Sequence, residues 1–174
     1  MNNDVLIASL AARIERLEDE RSIMALMARH PLSVDGGIKE PWLDYWTDDA
    51  TVDRLADPEK HSGAYEGTYG KDVMLEELYS EELATVRAAG FCHAGTPPHI
   101  VIADNGREAS AISYLQLISV EGSSYRVRRV VVSFWNLEKV QGQWLISRRI
   151  MRPLGHPDAI KLMVKGLEGT EEKA

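Results

Sequence analysis

The stretch "EASAISYLQLISVEGSSYRVRRVVVSFWNLEKVQGQWLISRRIMRPL" (Glu108–Leu154) decides the fold class. Three runs within it alternate apolar and polar residues, the two-residue period of strands with one buried face. "EGSS" and "QGQ" separate the runs, and glycine accepts the backbone angles that such turns require. The runs therefore read as antiparallel hairpins. Just upstream, "PHIVIAD" adds a strand that turns at "DNG" into the first run.

Upstream of the strands the period changes. Ile7, Leu10, Ile14 and Leu17 recur at three- and four-residue spacing, and Ile23, Leu26 and Met27 continue one apolar side, which predicts a helix from about Asp4 to Arg29. Pro31 stops it, because proline has no N–H for the helical ladder. "SVDGG" then reads as a turn, and "KEPWLDYWTDD" as a short helix with Trp42, Leu43 and Trp46 as its apolar contacts. "ATVDRL" is a short strand, and residues 55–70 form a polar, glycine-bearing loop containing His61. "GKDVMLEELYSEELATVRAAG" is a second helix, ended by Gly90. The tail from about residue 167, "LEGTEEKA", is expected to fray. Helices first and hairpins afterwards predict an α+β domain, with the helices packed on one face of a curved, mostly antiparallel sheet. A curved sheet closed on one side is a cone, and a cone suits a small organic ligand.

Composition narrows the function classes. The 174 residues fit one domain with a real core. The net charge of −7 argues against nucleic acid, since phosphate binding needs a basic face. No apolar run reaches membrane-spanning length, and acids in the first twenty residues stand where a signal peptide needs an apolar run. One cysteine, Cys92, cannot form an internal disulfide. These features predict a cytoplasmic protein with no membrane partner. There is no GxSxG, P-loop, CxxC or HxxxH, and no carboxylate cluster with metal spacing, so neither metal nor cofactor is expected.

Five histidines remain as chemistry. His61, His99 and His156 read as solvent-side or half exposed. His30 and Asp35 flank "PLSV" at the end of the long helix, and His93 stands in "FCHAGTPPHIVIADN" (Phe91–Asn105). Asp35 is open to a plain reading as a turn residue accepting N–H groups from the glycines. His93 is open to a packing role. Together they make chemical sense: a carboxylate on one ring nitrogen fixes the tautomer and raises the basicity of the other. The free nitrogen can then take a proton from carbon. Alternation places Arg126 and Arg128 on one side of their strand and Arg129 on the other. It likewise sets Arg148 and Arg152 with Trp144, Ile146 and Ile150, and Arg149 opposite.

The order of elements, with "SVDGG…W…DDATV", "HAGTPPHIVI" and "EKVQGQWLISRR", resembles the SnoaL-like branch of the nuclear-transport-factor-2-like superfamily. That branch contains scytalone dehydratase, hexachlorocyclohexane dehydrochlorinase and bile acid 7α-dehydratase. The resemblance implies a cystatin-like α+β cone, commonly a homotrimer, with a homodimer as the alternative. It implies a catalytic pair at Asp35 and His93. His30 falls where relatives often carry tyrosine or lysine, which implies a further proton donor or acceptor. Arg152 is comparable to a substrate-binding arginine of the last strand. Tyr45, Tyr114 and Trp135 are expected at the pocket; some relatives carry aspartate in place of Trp135. The activity implied is a cofactor-independent lyase or isomerase, dehydratase-like, acting on a hydrophobic cyclic small molecule. A different class is also open: a non-catalytic scaffold or ligand-binding subunit, such as the small subunit of ring-hydroxylating dioxygenases.

Overall fold

The computed structural model describes residues 3–55 and 67–169. The helices are α1 (Asn3–Gly36), α2 (Lys39–Leu43), α3 (Lys71–Leu78), α4 (Glu81–Ala88) and α5 (Pro157–Glu168). The strands are β1 (Trp46–Arg54), β2 (Gly67–Gly70), β3 (Phe91–Gly95), β4 (His99–Ile102), β5 (Glu108–Glu121), β6 (Ser124–Val140) and β7 (Gln143–Pro153). Among the described residues they form one sheet in the order β2-β1-β7-β6-β5-β3, with β4 also on β5. Only β1 and β7 run parallel. The α+β class and the three long hairpin strands are as the alternation predicts. Among the described residues no helix is long and apolar enough to cross a membrane.

Several expectations change. Pro31 lies inside α1, and the helix runs on to Gly36. A proline removes one ladder bond, and here packing tolerates the loss: His30, Ser33 and Val34, on either side, are buried. The helix ends at Gly37, whose φ of 63° turns the chain left-handed. Ile38 N–H donates to Ser33 O at 2.9 Å and Gly37 N–H to Val34 O at 3.2 Å, which satisfies the last carbonyls. Asp35 is thus a last-turn helical residue rather than part of a loose turn. The second predicted helix is two helices, broken where Ser80 caps α4 by accepting from Leu83 N–H at 3.2 Å. "FCHAG" is a strand of its own. The prolines Pro97 and Pro98, which cannot donate to a ladder, separate β3 from β4 along the same edge of β5. Trp46 opens β1 instead of closing a helix. In the segment 55–70, Gly67–Gly70 is strand; His61 lies outside the described residues.

The helices do not all share one side. A main core between α1, α2, α3 and the concave face contains Ile23, Leu26, Trp42, Trp46, Trp135 and Ile146. A second core on the convex face joins Ile112, Val132, Phe134 and Ile150 to Ala159 and Leu162 of α5. The turn at "LGHPD" starts that helix: His156 Nδ1 accepts from Asp158 N–H at 3.1 Å, and Pro157 takes the first helical position. Residues 167 and 168 belong to α5, and 170–174 lie outside the described residues. Nor does α1 keep one apolar side. Ile23 and Leu26 are buried, whereas Ile7, Leu10, Ile14 and Leu17 are exposed. Asp19 pins the middle of α1 to the sheet, accepting from Trp144 Nε1 and Lys139 Nζ, each at 2.8 Å.

Candidate active site

The concave face and α1, α3 and α4 enclose a cavity of about 710 Å³. Its walls are largely apolar, including Met27, Val34, Leu78, Leu115, Val131 and Trp135. Polar side chains interrupt the apolar walls: His30 of α1, His93 of β3 and Arg149 of β7, with Arg128, Arg129 and the Arg54–Glu77 ion pair also on the lining.

The end of α1 and the start of β3 bring Asp35 and His93 together across 58 residues of chain. His93 Nδ1 lies 2.5 Å from Asp35 Oδ1, and His93 backbone N–H donates to Asp35 Oδ2 at 2.8 Å. Both carboxylate oxygens are therefore held by one residue. With Nδ1–H donating, the ring presents Nε2 as the free basic nitrogen. Phe91 packs its ring edge-on against the imidazole at 5.1 Å. The turn reading of Asp35 is set aside: its partners are on β3, not the following glycines.

His30 is buried at the deep end. The rings of Trp135 and Trp46 lie at 5.3 and 5.5 Å, and those of Trp42 and Tyr45 at 6.5 Å. Burial pushes its pKa well below the ordinary histidine value, with the charges of Arg149 and His93 acting in the same direction. His30 is thus a neutral imidazole, and its Nε2 has no hydrogen-bond partner.

Arg149 is buried beside it, with its guanidinium 4.0 Å over the Trp135 ring and Nη2 donating to Ser133 Oγ at 3.1 Å. No carboxylate among the described residues pairs with it, and its Nε–H is unpartnered. Burial lowers its pKa to about 9, which leaves it charged at neutral pH. An unpaired buried cation facing an apolar cavity can receive an anion, an oxyanion or a departing group.

Arg149 lies on the same face as Trp144 and Ile146, not opposite them as strict alternation predicts. A bulge at Ser147 interrupts the β6–β7 register, since Leu137 pairs with Ile146 and Asn136 with Arg148. Beyond it the faces exchange: Arg149 and Met151 point to the cavity, while Arg148, Ile150 and Arg152 point to the convex side. Arg152 there binds Asp53 with both terminal nitrogens, at 2.9 and 3.0 Å, and so does not reach the cavity. Tyr114 also lies on the convex face, with its hydroxyl 3.8 Å from Met163 Sδ. Tyr45 is buried behind His30, its hydroxyl 3.1 Å from Ser33 Oγ. Trp135 faces the cavity as expected. A second bulge near Arg128 leaves Arg126 and Arg128 both on Glu121, with Arg128 and Arg129 both on the cavity lining. Among the described residues no three His, Cys, Asp or Glu side chains gather as a metal would need.

Comparison with known proteins gives the fold a lineage. Residues 15–150 match the SnoaL-like domain family. No curated protein matches the chain. A nuclear-transport-factor-2-like protein with a cystatin-like fold from Novosphingobium aromaticivorans superposes with a TM-score of 0.78 at 22% identity, covering 90% of this chain and 96% of that one. A protein assigned as a scytalone dehydratase from the same organism gives 0.59 at 23% identity, covering 81% and 87%. Hexachlorocyclohexane dehydrochlorinase LinA-type3 from Novosphingobium barchaimii gives 0.62 at 19% identity, covering 82% and 90%.

Proposed function

The chain belongs to the SnoaL-like domain family, and we propose that it is a cofactor-independent, dehydratase-like lyase acting on a hydrophobic cyclic small molecule. The observation that carries this reading is the His93–Asp35 contact of 2.5 Å at the wall of an apolar cavity that also holds an unpaired arginine. His93 Nε2 takes a proton from a ring carbon, and Asp35 stabilises the imidazolium that forms. The freed electron pair makes a carbon–carbon double bond as the bond to the leaving group breaks on the neighbouring carbon. Arg149 and neutral His30 receive the negative charge that develops on the departing atom. A departing hydroxyl takes up the proton from His93 and leaves as water, which resets the enzyme. Isomerisation uses the same base, with the proton returned to a different carbon.

The scaffold alternative expects a cone filled with side chains, and a cavity of about 710 Å³ speaks against it; a ligand-binding subunit would keep the cavity, and turnover separates it from an enzyme. A homotrimer in a reducing, cytoplasmic setting belongs to the same proposal; light scattering tests the trimer. The activity test is a panel of hydroxylated cyclic ketones followed by mass spectrometry for loss of one water. Turnover that disappears in both His93→Ala and Asp35→Asn supports the reading. Turnover retained by both removes it.

A further inference from the structure

The first half of α1 buries nothing against its own chain. Every residue from 3 to 18 is exposed, and the body begins at Asp19. A helix of that length standing alone is marginal in water. Yet it carries Ile7, Leu10, Ile14 and Leu17, each between 46% and 64% exposed. With Arg21 and Met24 these positions follow a three–four spacing, the seam of a coiled coil. At 3.6 residues per turn the seam falls on the side opposite Asp19, Ile23, Leu26 and His30, which face the body. The stripe therefore points outward from Ile7 to Arg21, and Met24, half exposed, lies at the edge of the cavity.

We propose that this stripe packs antiparallel against the same stripe of a second copy of this chain. The charges choose both the partner and its direction. Parallel pairing sets each seam residue against its own copy, so Arg21 would face the partner's Arg21. Antiparallel pairing centred between Ile14 and Leu17 instead sets Ile14 against the partner's Leu17, Leu10 against the partner's Arg21, and Met24 against the partner's Ile7. Arg13 and Glu20 flank the seam on one side. In this register Arg13 meets the partner's Glu20, and Glu20 the partner's Arg13, so the seam is self-complementary. Met24 lines the cavity. Each arm thereby reaches the cavity wall of the other copy.

Cross-linking tests the register in the full chain, in a Cys92→Ser background. Ile7→Cys with Met24→Cys is expected to give, on oxidation, a covalent pair of chains joined 7 to 24. Within one helix these positions stand about 26 Å apart, so an intrachain bond cannot form. In light scattering, Leu10→Glu with Ile14→Glu is expected to halve the particle mass. Arg13→Glu alone should weaken association about tenfold, and adding Glu20→Arg should restore it. The intact particle holds an even number of chains: two, or six where trimers also form. An unchanged mass in the double glutamate variant, or a link joining 7 to 7, overturns the proposal. Circular dichroism of the charge-reversed pair guards against misfolding as the cause, because both side chains are exposed or nearly so. None of these outcomes depends on turnover, so the pairing and the lyase reading fail separately.

Discussion

Single side chains carry the chemistry, and their roles separate by variant. Asp35→Asn removes the charge that holds the His93 tautomer, and His93→Ala removes the base. Each is expected to lower kcat by about 10²–10⁴-fold in a steady-state assay, with the circular dichroism spectrum unchanged. Arg149 and Arg152 are three residues apart on β7 but should behave oppositely. Arg149→Met withdraws an unpaired charge from the cavity and is expected to lower kcat by about 10²–10³-fold. Arg152→Met leaves Asp53 with only Arg148, at 3.8 Å. It should lower stability by about 1–3 kcal/mol in urea unfolding while preserving kcat. If Arg152→Met abolished turnover and Arg149→Met did not, the face assignment drawn from the bulge would be wrong. The dyad was legible only through the family resemblance, since by their neighbours alone Asp35 reads as well as a turn residue and His93 as a packing residue. Arg149 was not, because nothing in "ISRRIM" marks Ser147 as the extra residue of a bulge.

At the scale of elements, α5 shows how a helix can be missed and yet be firmly placed. Its signals are a histidine N-cap, proline at the first position and Gly169 in the left-handed region. They are short and follow directly on a long strand. Gly166 sits where α5 meets β5, and a Cβ built there would lie 2.6–2.8 Å from three atoms of Ile112. Alanine in an exposed helix normally stabilises relative to glycine by about 1 kcal/mol. Here Gly166→Ala is expected to reverse that sign and cost about 1–3 kcal/mol through overpacking, read as a lower urea midpoint at constant m-value. Helix α1 makes the complementary point. Its periodicity was legible along its length, but the periodic residues belong to two opposite stripes, one for the body and one left outward. A count of apolar spacing does not distinguish them.

For the whole molecule, the buried neutral His30 couples folding to pH. Its folded pKa is depressed, so below the unfolded value of about 6.5 the unfolded chain binds a proton that the native state refuses. Stability attributable to His30 is therefore complete above about pH 6.5 and falls as pH drops, by up to about 1.4 kcal/mol per pH unit, until the native pKa is reached. His30→Gln should flatten the urea-unfolding free energy between pH 5 and 7 relative to the parent. An unchanged slope would mean that His30 is solvated or charged in the native state. The cavity depends on the same placement, because His30 and Trp135 line it and Trp46 packs against His30 from behind.

The sequence by itself determined the local things: the helical and strand periods, the turns at "EGSS" and "QGQ", the α+β order, and a histidine and an aspartate of the right kinds. These depend on neighbours within a few residues. Tertiary structure alone decided which faces look inward. One extra residue at Ser147 turned Arg149 into the cavity and Arg152 out of it, and a Schellman turn at Gly37 aimed Asp35 at a strand 58 residues away. A strand's two faces are equivalent until its partners and its bulges are known, and those are set by contacts across the chain.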